Sequence, residues 1–137
     1  MELRRLNGQL AVAGQINPGD VPELAAEGIR AIICNRPDGE APGQPEYAEI
    51  EKAAVANGIK IVYQPVVTSS ISDEDAVTFG KLIEELPKPL LVYCRSGLRS
   101  TALWALSQSG KLPVEDIIET AARAGYDIKP FLLRLVR

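Results

Sequence analysis

The segment Cys94-Arg95-Ser96-Gly97-Leu98-Arg99-Ser100 concentrates the reactive side chains of this chain. A thiol and two guanidinium groups stand within six residues, with a glycine between the arginines. The apolar run Leu90-Leu91-Val92-Tyr93 leads into the cysteine and reads as a fully buried strand. A helical run begins near Leu98 and ends by Gly110. A strand, a tight glycine loop and a helix N-terminus in succession form an anion site, because loop amides turn inward and the helix dipole favours negative charge. Beside Arg95 and Arg99, Cys94 is expected as a thiolate, since such surroundings lower thiol pKa to ~3.5–7.5. An arginine fork holds an oxyanion by two-point contact. The residue types thus describe a nucleophile, Cys94, and an anion clamp, Arg99. The amides of Arg95, Ser96, Gly97, Leu98 and Arg99 form the cradle. The Arg95 side chain serves either the anion or the solvent, and Ser100 is an anion contact or a first-turn helix residue.

What the chain lacks narrows the chemistry. It has no histidine, so Ser-His-Asp and Cys-His machinery are excluded. Two cysteines without imidazole make a metal site unexpected, and nothing calls for a cofactor. Acid–base work falls to carboxylates, Lys, Tyr or water. Net charge is −3 with no basic run, which argues against nucleic acid. No apolar stretch reaches membrane-spanning length, and the N-terminus has no signal-peptide core. Free thiols and a reducing cytoplasm are the expectation.

The elements that position the loop follow from pattern and punctuation. With 137 residues, the chain fits one domain over residues 1–137. Residues 3–6 and 9–13 flank Asn7-Gly8, which favours a type I′ hairpin turn. Asp20 is expected to cap a short helix, with Glu23 completing a capping box. Strands are expected at residues 29–34, 59–67 and 90–93, and helices at 45–56, 72–86, 98–110, 114–124 and 130–136. Ser72 with Asp73, Glu74 and Asp75 reads as a helix cap and an acidic first turn. Trp104 belongs to a core face. Strands alternating with helices predict an α/β fold in three layers, a central, mostly parallel sheet flanked by helices. Ligands bind beyond the carboxyl ends of such strands, where Cys94 lies. The loops after Cys34 and Val67 open on the same face. They bring Asn35-Arg36-Pro37-Asp38-Gly39-Glu40 and Thr68-Ser69-Ser70 toward the cradle.

The Cys94 loop resembles both the cysteine-dependent tyrosine and dual-specificity phosphatases and the rhodaneses. Gly14-Gln15-Ile16, Asn35-Arg36-Pro37-Asp38-Gly39-Glu40, Pro65-Val66-Val67, Tyr93-Cys94-Arg95-Ser96-Gly97-Leu98-Arg99-Ser100 and Ala124-Gly125-Tyr126-Asp127 occur in this order. Together they resemble the beta-lactamase-hydrolase-like protein, phosphatase-like domain family. The resemblance implies a dual-specificity-phosphatase-like fold with the cysteine strand central in the sheet. It also implies a link to sulfur-metabolism domains, and hence a sulfide-oxidation partner enzyme.

Three departures from the phosphatase pattern set the expected chemistry. Only four residues separate Cys94 from Arg99, one fewer than in phosphatases and matching the rhodanese loop. Tyr93 stands where phosphatases usually carry histidine. Thr68, Ser69 and Ser70 occupy the place of the general-acid aspartate. A shorter loop is a tighter cradle, and loss of a general acid costs ~10²–10⁴-fold in phosphoester cleavage. Sulfur transfer needs no such acid. The leading expectation is therefore a cytoplasmic sulfurtransferase that carries sulfur on Cys94 as a persulfide, from a small anionic donor to a thiol acceptor. The alternatives are a cysteine-dependent phosphatase acting through a cysteinyl-phosphate, and a non-catalytic anion-binding or redox-sensing domain. Asp38 is a candidate substitute acid, although a turn explains it. Arg36 adds charge at the pocket mouth or pairs with a carboxylate. Cys34 is a core residue or a resolving cysteine for Cys94.

Overall fold

The computed structural model describes residues 1–135. A five-stranded sheet lies at the centre, built from β1 (Arg4–Arg5), β2 (Leu10–Ala13), β3 (Ala31–Cys34), β4 (Lys60–Tyr63) and β5 (Leu90–Tyr93), in the order β1-β2-β5-β3-β4. Among the described residues, only the β1–β2 pair of the sheet is antiparallel; β5 runs parallel to β2 on one side and to β3 on the other, and β3 parallel to β4. The strand that ends at the cysteine is thus the middle of the sheet, as the resemblance implies. Its four residues are all buried, which is why it reads as a continuous apolar run rather than an alternating one.

Helices cover both faces. Successive side chains of a strand point to opposite faces, and each face has its own apolar layer. On one, Ala11, Ala13, Ile32, Leu91 and Tyr93 meet Val21 and Leu24 of α1 (Val21–Ala26) and Ile50 and Ala54 of α2 (Tyr47–Ala56). On the other, Val12, Ile33, Leu90 and Val92 meet α3 (Asp73–Glu85), α4 (Leu98–Ser107) and α5 (Val114–Arg123). α4 is buried along residues 99–106, Trp104 included, because it lies between the sheet and its neighbouring helices. A short α6 (Leu132–Leu135) follows. The expected helix over 130–136 begins as a 3-10 turn at Lys129–Phe131, and Val136 lies outside the described residues. No described helix is long and apolar enough to cross a membrane.

Local departures from expectation have identifiable causes. The β1–β2 hairpin is present, but not with a type I′ turn. That turn needs positive φ at both central residues, and neither Asn7 nor Gly8 has it. Instead the Asn7 side-chain oxygen accepts from the Gln9 and Leu10 N–H groups at 2.8 and 3.0 Å, closing a longer loop. Asp20 does not cap α1 with Glu23. Its carboxylate accepts from Asn17 N–H at 2.8 Å, so the box closes one turn earlier, around the 3-10 helix Pro18–Asp20. Strand β4 stops at Tyr63 rather than Val67. Pro65 lacks an N–H, yet Gln64 and Val66 still donate to the Cys34 and Asn35 carbonyls, so pairing to the β3 edge continues past the strand's end.

Candidate active site

Cys94 immediately follows β5, and the loop it opens turns into α4 at Leu98. Cys94 is buried, 1% exposed. Gly97 N–H donates to Cys94 Sγ at 3.1 Å. Gly97 has φ +98°, in the left-handed region, and a Cβ there would overlap the Tyr126 phenol and approach Val12 Cγ1 to 2.9 Å. Ser96 Oγ accepts from Leu98 N–H at 3.3 Å. The far side of the loop rests on the end of β2: Gln15 N–H donates to Arg95 C=O at 3.1 Å. Gly14 permits that approach, because a Cβ would lie 2.9 Å from the same oxygen.

Arg99, in the first turn of α4, is only 7% exposed, and its charge acts on Cys94. Its Nη1 donates to Glu40 Oε2 at 2.8 Å and to Val66 C=O at 3.0 Å, and its Nη2 to Glu40 Oε1 at 2.7 Å. A guanidinium has five N–H bonds. These contacts take both of Nη1 and one of Nη2, which leaves Nε–H and the second Nη2–H as an adjacent fork. Glu40 and Val66 thereby fix the outer edge of Arg99 and present the inner edge to an anion.

Glu40, which the sequence analysis did not single out, is the hub of this network. It also accepts from Arg36 Nε at 3.0 Å, and Arg36, 5% exposed, donates from Nη1 to Gln15 Oε1 at 3.1 Å. Arg36 therefore pairs with a carboxylate rather than opening onto the cleft. Hydrogen bonds from Arg99, then from Arg36, hold the Glu40 carboxyl below the usual carboxylate range, and Glu40 in turn pushes Arg99 up. The loop that presents Glu40 is itself fixed. Gln44 accepts from Glu40 N–H at 3.1 Å and donates to Pro37 C=O at 2.9 Å. The available signal was the spacing of Arg36 and Glu40 four residues apart in a Pro/Gly loop.

The other candidates fall into place around this network. Asp38 is exposed, and its Oδ1 accepts from Tyr47 N–H at 2.8 Å, so it serves the N-terminus of α2. Ser100 is fully buried and donates to Asn35 Oδ1 at 2.8 Å; Asn35 Nδ2 continues to Gln64 C=O at 3.0 Å. Cys34 pairs in register with Tyr93, in the apolar layer against α1 and α2, and donates to Arg36 C=O at 3.4 Å. Burial pushes the Cys34 thiol up, and burial likewise pushes up the Tyr93 phenol. Both cysteines are free. An open cleft of about 460 Å³, lined by Glu40, Val67, Thr68, Ser69, Arg95 and Arg99, leads to the site. Arg95 is exposed on its wall, and the hydroxyl-bearing loop at Thr68–Ser70 forms another side.

Comparison with known proteins agrees with this architecture. Residues 2–111 match the profile of the family described as beta-lactamase hydrolase-like protein, phosphatase-like domain. The chain is 34% identical over 130 residues to a beta-lactamase hydrolase-like protein of Agrobacterium fabrum, covering 93% of this chain and 30% of that protein. It thus spans about a third of the length of the curated relatives it matches. A crystal structure of a candidate phosphatase from Neisseria meningitidis superposes with TM-score 0.90 at 36% identity, over 99% of this chain and 97% of that one. A candidate phosphatase from Shewanella putrefaciens shares the fold with TM-score 0.74 at 23% identity, over 97% and 83% of the two chains.

These relationships overturn the expected sulfurtransferase chemistry: the matched family and its structural relatives are phosphatase-like. The inference from loop length failed for a physical reason. Counting residues between Cys94 and Arg99 does not fix the cradle's shape when a left-handed glycine turns the loop and a carboxylate sets the arginine from outside. The persulfide on Cys94 and the thiol acceptor follow only from that reading and go with it.

Proposed function

This chain belongs to the beta-lactamase hydrolase-like protein, phosphatase-like domain family, and from that premise we propose that it is a cysteine-dependent phosphatase acting on a small phosphomonoester. The observation that carries the reading is the convergence of the Cys94 thiol with the free edge of an arginine that Glu40 and Val66 hold from behind. Cys94 Sγ attacks phosphorus, an S–P bond forms, and the P–O bond to the leaving group breaks. Water then attacks the cysteinyl-phosphate, the P–S bond breaks, and inorganic phosphate departs with the thiolate restored. The inner fork of Arg99 and the amides of the 95–99 loop stabilise the phosphoryl oxygens through both steps. Arg95, on the cleft wall, attracts the dianion, and the leaving group lies along Val67, Thr68 and Ser69. The reaction suits a reducing, cytoplasmic setting, where free thiols persist.

Among the described residues, no carboxyl group lines the cleft free of a partner, since Glu40 is ionised against two arginines and Asp38 accepts from the first N–H of α2. Leaving groups that depart as stable anions are therefore favoured, and aryl phosphates will turn over far faster than alkyl phosphates. The test is phosphate release from a small aryl phosphate by wild type, Cys94→Ser and Arg99→Lys. Expected are loss of release in Cys94→Ser and a fall of ~10²–10³-fold in Arg99→Lys. Release at the wild-type rate by Cys94→Ser would exclude the proposal.

A further inference from the structure

We infer that Tyr126 is a positioning residue for the Cys94 loop, acting by fixing the direction of the peptide that joins Ser96 to Gly97. Two hydrogen bonds leave this one peptide from its opposite sides. The Ser96 C=O accepts from the Tyr126 hydroxyl at 3.0 Å, and the Gly97 N–H donates to Cys94 Sγ at 3.1 Å. In a trans peptide the C=O and N–H point in opposite directions, and the only cis bond among the described residues is Lys88–Pro89. Holding the carbonyl outward therefore aims the N–H at the sulfur. Turned over, the same peptide would present a carbonyl oxygen to the sulfur in place of a hydrogen-bond donor.

The peptide needs such a holder because Gly97 does not restrict it. A glycine at φ +98° has no Cβ to oppose rotation. Tyr126 is itself delivered by a rigid device at the end of α5. Tyr126 N–H donates to Ala121 C=O and Gly125 N–H to Ala122 C=O, both at 2.9 Å, with Gly125 at φ +96°. This is the Schellman pattern, which turns the chain sharply at a helix end. Arg4 closes the back: its Nη1 donates to Ala124 C=O at 3.1 Å, and its guanidinium lies 5.8 Å from the centre of the Tyr126 ring. The neighbouring peptide is held alike, with the Arg95 C=O bound by Gln15 N–H.

The inference rests on Cys94 as the reacting group, and its test reads the thiol directly as well as the reaction. Burial in the apolar layer pushes the Cys34 thiol up, and iodoacetamide labelling is read on the peptide that carries Cys94, so the rate reports Cys94. In Tyr126→Phe the ring stays and only the hydroxyl is lost. Expected are alkylation of Cys94 slower by about three- to tenfold, and a similar fall in kcat on an aryl phosphate with KM within about twofold. Asp127→Ala is the control for general loosening. It removes the 2.9 Å bond from Lys129 N–H in the same turn but leaves the phenol in place, and should alkylate at the wild-type rate. Wild-type alkylation in Tyr126→Phe would overturn the inference, as would equal slowing in both variants. Slowed alkylation in Tyr126→Phe alone, with no phosphate released by any form, would uphold the inference while removing the phosphatase reading.

Discussion

Glu40 accepts three hydrogen bonds from two arginines that are each less than a tenth exposed, and its own side chain is 25% exposed. Removing its charge leaves two nearly buried cations facing each other. Glu40→Gln should therefore cost about 2–3 kcal/mol of stability at neutral pH. It should also lower kcat/KM on an aryl phosphate by about tenfold, because the outer edge of Arg99 is no longer fixed. The pH dependence has a definite sign. The folded carboxyl is held below its unfolded value, ordinarily ~4.3, so its contribution is complete above that value. The contribution disappears as pH falls through the lower folded value. Chemical denaturation of both proteins across acidic pH should show the gap between wild type and Glu40→Gln closing as the solution is acidified; a constant gap would contradict the pairing. The position of Cys94 and Arg99 on one loop between a buried strand and a helix was legible in the sequence, because the apolar run, the glycine and the helical pattern follow one another there. Glu40 was not, because a carboxylate in a Pro/Gly loop looks like any surface residue until folding brings it across to α4, 59 positions along the chain.

At the scale of elements, two glycines do what no other residue can. Gly14→Ala drives a Cβ against the Arg95 carbonyl on the β2 side of the loop, and Gly97→Ala forces both a left-handed alanine and an overlap with Tyr126. Gly97→Ala should cost about 1–3 kcal/mol and abolish most turnover, as thermal melts and aryl phosphate assays would show. A substitution of comparable size that leaves the loop alone separates stability from activity. Ser72 caps α3, accepting from Asp75 N–H at 3.0 Å while Asp75 Oδ2 accepts from Ser72 N–H at 2.9 Å. Ser72→Ala should lower stability by about 1 kcal/mol and leave kcat unchanged. That box was readable from the Ser72-Asp73-Glu74-Asp75 run, because capping depends on neighbours in sequence. The Asn7-Gly8 turn and the Asp20 cap were misread because several local hydrogen-bond patterns compete there. In the first Asn7 Oδ1 takes two backbone donors, and in the second Asn17 offers an earlier start. The short loop was the costlier misreading, since residue count carries no information about a glycine's φ.

At the scale of the molecule, the sheet joins the site together. β5 is flanked by β2 and β3, so the loops that follow these three strands supply Gln15, Arg36 and Glu40, and the Cys94 cradle itself. The chain beyond Tyr63, still paired to the β3 edge through Gln64 and Val66, adds the Val66 carbonyl. The parallel architecture was legible because buried strands alternated with helices; the strand order was not, because nothing in one strand's sequence records its neighbour. Two apolar layers share this one sheet, so we expect residues 1–137 to unfold as a unit, with a single calorimetric transition. Two separable transitions would argue against one domain. The most direct test of the chemistry is to quench the protein in acid during turnover of an aryl phosphate and measure the mass of the peptide that carries Cys94. A gain of one phosphoryl group on that peptide, absent in Cys94→Ser, is the expected result. Steady phosphate release with that peptide never modified would show that Cys94 is not the nucleophile.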